Sequence, residues 1–308
     1  MTDVPLPIRG RTLGAGWKQL TYGVHVHVDA DTRGDLAGWQ LLLPAHGSFT
    51  HLTGAGLRGW WLPPLPMSMP VLVSMGQRDP RPMRSGIRTI RLARPSEFEV
   101  IDGLRVAAPL EILLACAHDL GLVDLVVLLD GAAFAGDIDL DEVRAVLHGL
   151  SRRRGLAALR RALELADARS ESPWETMLRL LLVSCGIEVE PQYVVPGRHG
   201  PIARADLWVV GTRTLQELDG EVHLPKTQQR KDLRRMRRLG EEDWARHGYT
   251  SDDVLHRAVR VLADADRAVG REHEPERIRL WHDLLRASLF TPAGRARLAA
   301  RLGLAGSA

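Results

Sequence analysis

Between residues 203 and 210 apolar and polar positions alternate. Ala205, Leu207 and Val209 fall on one face and Asp206 on the other, which predicts a half-buried strand. Residues 214–219 read as a second strand. Leu215, Glu217 and Asp219 share a face there, and Gly220 suits the turn that follows. Upstream, Ser172-Pro173-Trp174-Glu175 has the form of a capping box: Ser at the N-cap, Pro at the first helical position, Glu three residues on. Met177, Leu178, Leu181, Leu182 and Cys185 make the apolar stripe of that helix, Gly186 ends it, and 187–195 is the next strand. Downstream, 227–246 has helical spacing, with Leu233, Met236 and Leu239 as the expected buried side. Arg230, Arg234 and Arg238 lie one turn apart on another face, with Lys231, Arg235 and Arg237 beside them. The run 243–254 is too polar to read as a core strand.

The first half is patterned more loosely. Residues 1–15 read as an arm. In 17–28, Val24, Val26 and Val28 alternate with His25 and His27, a half-buried strand. No third ligand accompanies the two imidazoles, so a solvated strand face is preferred over a metal site. Short helices are expected at 36–43 and 50–61, the second stopped by Pro63-Pro64. Gly54-Ala-Gly56-Leu-Arg-Gly59 spells a dinucleotide pattern, but no βαβ unit surrounds it. Strands at 71–75 and 87–92 flank a loop whose Arg78, Arg81 and Arg84 suit either phosphate contact or plain solvation. Residues 98–107 form a hairpin with an Asp102-Gly103 turn. Helices follow at 109–118, 122–135, 140–150 and 151–168. Asp137, Asp139 and Asp141 mimic the start of a calcium loop, but Glu142 stands at the glycine position and His148 where a bidentate Glu belongs. A capped helix is the better reading. Tail helices are expected around 254–269, 276–288 and 291–302. The implied organisation is a mixed α+β region at 1–150, a linker helix at 151–169, an α/β unit at 170–270 and a helical tail at 271–308.

Composition narrows the class. At 308 residues the chain has room for two domains, and 45% hydrophobic with 26% charged residues is ordinary for a globular protein. The formal charge is only +3, but the arginines are clustered, and clustering is what a polyanion feels. Cys116 and Cys185 each sit in an apolar helical run, as buried thiols do in a reducing cytoplasm. The N-terminus lacks an apolar signal region and no apolar run reaches membrane-spanning length, so a cytoplasmic location without membrane contact is expected. No G-x-S-x-G elbow, Walker loop or H-E-x-x-H occurs.

What remains is the acids. If the strands at 203–210 and 214–219 are neighbours, Asp206, Glu217 and Asp219 converge at the edge of a core. Three close carboxylates repel unless a cation joins them, and a hard divalent ion such as Mg²⁺ or Mn²⁺ suits oxygen ligands. A bound ion of that kind activates water and stabilises charge on a phosphoryl group. The plain alternative is a sheet end with solvated acids. Glu175 likewise reads as a helix cap or as part of a site, and the arginine row as a solvated face or a phosphate-tracking surface.

The spacing Asp206, Glu217-x-Asp219-Gly220-x-x-His223, then Arg230 and Asp232, resembles the DUF559 and very-short-patch-repair-like branch of the PD-(D/E)XK nuclease superfamily. The likeness covers about residues 170–240. In that branch an upstream helix carries a Glu, at the place of Glu175 here. The resemblance implies an α/β fold with a restriction-endonuclease-like C-terminal domain. It also implies Mg²⁺- or Mn²⁺-dependent cleavage of DNA, in repair or phage defence. Asp206 and Glu217 would be the principal metal ligands, Asp219 would complete the shell or orient water, and His223 would serve as acid, base or phosphate donor. Glu175 would position a water or second ion. The usual ExK lysine is Asp219 here, so Lys226, Gln229 and Arg230 are expected to supply the missing positive charge, and Arg234, Arg235 and Arg238 to contact DNA. The first half, with its helix ending Gly-Leu-Arg-Gly and Asp102-Gly-Leu-Arg-Val-Ala-Ala-Pro-Leu-Glu, resembles AbiEi-type antitoxin proteins of actinobacteria. That implies a rival: an inactive nuclease fold that binds DNA as a regulator, with a toxin or other defence protein as partner.

Overall fold

The first segment folds as a hairpin, not as one strand. β1 (Ile8–Arg9), β2 (Trp17–Thr21) and β3 (Val24–His27) form a 3-stranded sheet in the order β1-β3-β2, and the chain reverses at Tyr22-Gly23, where Gly23 takes φ 74°. The alternation of valines through 24–28 concealed that turn. His25, expected on a solvated face, is buried. The computed structural model describes residues 4–10, 14–198, 200–219 and 226–304, with the backbone alone over 226–232.

Next, α1 (Thr32–Gln40) starts at Asp31, whose carboxylate accepts the Gly34 N–H at 2.8 Å. β4 (Ser48–Phe49), α2 (His51–Leu57), β5 (Val71–Gly76), β6 (Ile87–Leu92), β7 (Phe98–Ile101) and β8 (Leu104–Ala107) follow. Their strands make a mixed 5-stranded sheet in the order β6-β5-β4-β8-β7, which leaves β6 at an edge. Asp102 and Gly103 turn β7 into β8 with φ 48° and 80°, the left-handed pair that a two-residue hairpin needs. Of the glycines in the dinucleotide-like pattern, Gly54 serves helix packing. A Cβ on Gly54 would lie 2.9 Å from Ile112 Cδ1.

A helical layer comes after: α3 (Pro109–Asp119), α4 (Leu122–Phe134), α5 (Leu140–Gly149) and α6 (Leu156–Leu163). α4 is apolar around its circumference and buried from Val123 to Ala132, so it sits inside the core. Asp139 caps α5, accepting from the Asp141 and Glu142 N–H groups at 2.8 and 3.0 Å. α6 begins five residues later than the expected helix at 151, after Gly155 at φ 80°.

The last sheet carries the acids. α7 (Pro173–Ser184), β9 (Val189–Val195), β10 (Ala203–Val209), β11 (Thr214–Leu218), α8 (Lys226–Glu241) and β12 (Ala245–Tyr249) form a helix, an antiparallel meander, a crossover helix and a fourth strand. The sheet order is β12-β11-β10-β9, with β12 parallel to β11. Three expectations are corrected here. α8 stops at Glu241, and beyond Asp243 at φ 58° the polar run enters the sheet as β12. It can do so because its polar groups find carboxylates. Arg246 meets Glu217 and Asp219, His247 Nδ1 lies 3.7 Å from Asp264, and the Tyr249 hydroxyl donates to Asp264 at 3.2 Å. Leu233 and Met236, expected inside, are exposed; Leu239 is buried, so α8 meets the sheet through its C-terminal turns.

α9 (Ser251–His256), α10 (Ala258–Ala268), a 3₁₀ turn at Pro275–Ile278, α11 (Arg279–Leu285) and α12 (Pro292–Arg301) complete the chain. The helix expected at 254–269 is broken at Arg257, whose φ −124°, ψ 27° is not helical. The protein is thus of mixed α/β class, with several mixed sheets. One hydrophobic core runs from Leu36 in α1 through α4 and α7 to Leu302 after α12. Buried polar bonds fix the joints. Asp130 on α4 accepts from Arg179 Nη2 and Thr176 Oγ1 on α7, both at 2.7 Å. Asp124 on α4 accepts from Ser288 Oγ at 2.7 Å and the Leu289 N–H at 3.0 Å, which ties down the tail. Among the described residues no helix is long and apolar enough to cross a membrane.

Removing one partner of a buried ion pair strands the other charge, typically at a cost of about 3–5 kcal/mol. Arg179→Met should lower the unfolding free energy in urea by about that much, and adding Asp130→Asn should restore part of it. An Arg179→Met protein as stable as the parent would show that the pair does not hold α4 to α7.

Candidate active site

The β10–β11 register pairs Leu207 with Gln216, so one step along the ladder sets Asp206 opposite Glu217. Asp206 Oδ2 accepts the Leu218 N–H at 2.8 Å, which fixes its carboxylate between the strands. Glu217 is only 4% exposed. Helix α7 brings the third acid. Ser172 Oγ accepts the Glu175 N–H at 3.2 Å, the expected cap. The return bond goes elsewhere than a capping box predicts: Glu175 Oε2 accepts the Glu171 N–H at 2.9 Å and Gln192 Nε2 at 2.8 Å. Glu175 therefore closes the helix and reaches the sheet at once.

Asp206 feels the other two acids. Burial pushes the Asp206 carboxyl up to about 6; the Leu218 N–H opposes this, Glu175 and Glu217 raise it further, and Arg235 pulls it down.

Two guanidinium groups hold Glu217. Arg235, from α8, donates to Glu217 Oε1 and to the Arg204 carbonyl. Arg246, from β12, donates through Nε to Glu217 Oε2 at 2.6 Å and through Nη2 to Asp219 Oδ1. Burial alone would lower the Arg246 guanidinium, but Glu217 and Asp219 more than offset it and hold it above its usual value. Asp219 is 49% exposed and its carboxylate lies over Gly248; a Cβ there would sit 2.8 Å from Asp219 Cγ, so glycine leaves the only room.

Of the residues expected from sequence, Glu175, Asp206 and Glu217 come together, and Asp219 stands at their margin. His223 lies outside the described residues. So do the side chains of Lys226, Gln229 and Arg230, whose backbone forms the start of α8. Arg234 and Arg238 are exposed, and Arg238 Nη2 reaches the Pro201 carbonyl at 3.3 Å. Arg235 is turned inward onto Glu217, not outward along the row. Sequence reasoning missed Arg246, which lies in the run set aside as too polar, and Gln192, which sits on β9 at φ 51°, a region that non-glycine residues seldom occupy. Neither carried a signal in the local pattern.

A hard divalent ion suits this donor set. Asp206, Glu175 and Glu217 offer carboxylate oxygens only, and no guanidinium hydrogen-bonds Asp206 among the described residues. In the present arrangement no three His, Cys, Asp or Glu residues among those described stand close enough to hold an ion together. Arg235 already places a cation on Glu217, so an ion there would have to displace it.

No family model and no solved structure matches the chain. It is similar to two proteins of Mycobacterium tuberculosis, from strains CDC 1551 / Oshkosh and ATCC 25618 / H37Rv, both described as uncharacterized. Each is 25% identical over 260 residues, which is 83% of this chain and 93% of theirs. The similarity therefore extends well beyond the sheet that carries the acids.

A carboxyl raised by the fold contributes stability only while it is neutral. For Asp206 that contribution is complete below the ordinary value of 3.8 and is lost as pH rises through about 6. Asp206→Asn should thus be more stable than the parent near pH 8, by at most about 3 kcal/mol, and no more stable near pH 4. Chemical melts across that range check it; a gap independent of pH would show that ionisation of Asp206 is not the cause.

Proposed function

We propose that the protein is a metal-dependent endonuclease of the PD-(D/E)XK type that hydrolyses phosphodiesters in DNA. The observation that carries this reading is the meeting of Glu175, Asp206 and Glu217, from a helix start and two paired strands, with the Asp206 carboxyl pushed up to about 6. The motif resemblance over about residues 170–240 supports it. So does the element order: a helix bearing Glu175, the Asp206 strand, the Glu217-x-Asp219 strand, a basic helix and a further strand.

Asp206 and Glu217 would hold Mg²⁺ or Mn²⁺, with Asp219 at the margin, and the ion would supply an acidified water and charge stabilisation at phosphorus. The chain's own groups do the positioning. Gln192 and the Ser172 cap aim Glu175, whose carboxylate can take the proton of an attacking water. Arg246 stays on Asp219 and keeps a fixed positive charge beside the position of the usual ExK lysine, which is Asp219 here. Arg235, once off Glu217, is free for a phosphate oxygen. Arg234, Arg237 and Arg238 on the exposed side of α8 suit the flanking DNA backbone. His223 remains the expected acid or phosphate donor.

One observation favours a second reading. Arg235 and Arg246 already neutralise Glu217, as they would in a site that had lost its ion and kept only its fold. The protein would then be an antitoxin-like DNA-binding regulator, with a toxin or other defence protein as partner.

An ion that binds only the native state raises its melting temperature. Mn²⁺ should raise that of the parent over EDTA, raise that of Arg235→Met further, and leave Asp206→Asn nearly unmoved. Asp206→Asn should also lose plasmid nicking while keeping its DNA affinity. A parent that melts identically in EDTA and Mn²⁺ and leaves plasmid intact would favour the regulator.

A further inference from the structure

Many arginines of this fold face carboxylates: half-buried Arg58, Arg246 and Arg277, buried Arg179, and exposed Arg153 and Arg169 each form an ion pair. The segment 78–94 breaks the habit. It holds Arg78, Arg81, Arg84, Arg88, Arg91 and Arg94 against one acid, Asp79. That acid is already committed, to His46 Nε2 and to the Gly76 N–H, both at 2.6 Å. Among the described residues none of the six arginines pairs with a carboxylate. Arg84, Arg88 and Arg91 donate to carbonyls instead, of Met83, Arg301 and Asp79.

The six share one place in the fold. Three lie in the loop before β6 and Arg88 and Arg91 on β6, the edge strand of the 5-stranded sheet, with Arg94 just past it. All but Arg88 are exposed. The β2–β3 turn adds an aromatic, since the Arg84 guanidinium lies 5.5 Å over the ring of Tyr22, which is 77% exposed. Guarding a sheet edge against pairing takes a charge or two. Within the chain Arg84 and Arg91 gain carbonyl bonds but no ion pair with a carboxylate, whereas phosphates along this edge would offset the charge of the five exposed arginines.

We infer that β6 and the loop before it form a second nucleic-acid surface, which grips the phosphates of duplex DNA apart from the carboxylate sheet. It rests on DNA as the partner proposed above, but not on cleavage. Tyr22 and Arg84 stack at one end of this surface, and the contacts are to backbone, so the surface adds affinity without reading sequence.

The test is duplex binding against salt for a variant with Arg81, Arg84, Arg91 and Arg94 all changed to Ser, and for its all-Lys counterpart. Each lost phosphate contact flattens the log–log slope by about 0.9. The Ser variant should flatten it by about two to four and bind at least about tenfold more weakly near physiological salt. The Lys variant should keep the slope, and all three proteins should melt alike. A Ser variant with the parent's slope overturns the inference, as does a parent that binds anionic vesicles but no duplex. Plasmid nicking by the parent, read in parallel, decides the nuclease reading on its own. A flattened slope without nicking keeps this surface and removes the enzyme.

Discussion

A carboxylate with 4% exposure cannot stay charged in a protein interior without compensation, and Glu217 is that group. Its two oxygens take guanidinium groups from two different elements, Arg235 on the crossover helix and Arg246 on the fourth strand. The pairing explains the sheet as much as the site. α8 is otherwise weakly attached, with Leu233 and Met236 in solvent, and β12 is short and polar. Both are drawn onto the meander where Glu217 needs charge. Asp206, next to it, has a backbone N–H and no guanidinium bond among the described residues, and it is the acid whose carboxyl rises to about 6. The cluster is thus balanced unevenly: among the described residues Glu217 has two guanidinium partners and Asp206 has only a backbone N–H.

The same device recurs at the centre of the molecule. α4 is buried around its circumference yet carries two acids, and each is spent on a joint. Asp130 fastens α7, and with it the acid-bearing sheet, through Arg179 and Thr176. Asp124 fastens the tail through Ser288 and Leu289, and burial pushes its carboxyl up to about 7 against those bonds. Apolar packing supplies most of the stability of such a core, but it does not choose register. The buried acids do, because each has one set of donors in reach. The position of Glu175 follows from this, since its helix is held on α4 by Arg179, one turn further along.

Charge is sorted across the fold. Arg58, Arg179, Arg246 and Arg277 are paired within the fold and serve structure; the arginines of β6, its preceding loop and the outer face of α8 are left without carboxylates among the described residues. A modest net charge of +3 hides this division. For a polyanionic partner the division matters more than the sum, because binding counts the charges that are free to meet phosphate.

How much was legible in the sequence depended on range. Alternation determined β10 and put Asp206 on it, because a half-buried strand must alternate; β11 was legible as a strand, but it is buried on both faces from Thr214 to Glu217. Ser172, Asp139 and Asp102-Gly103 marked a helix start, a second start and a hairpin, because caps and turns are settled by groups within four residues. The strand β12 was illegible for the opposite reason. Its polar residues are tolerated only because Glu217, Asp219 and Asp264, far along the chain, wait for them. Arg246 and Gln192 entered the site by the same route, and Leu233 and Met236 are exposed because α8 meets the sheet through Arg235 and Leu239. Local pattern states what a segment wants to bury; only the tertiary structure decides which distant charge makes a polar segment worth burying.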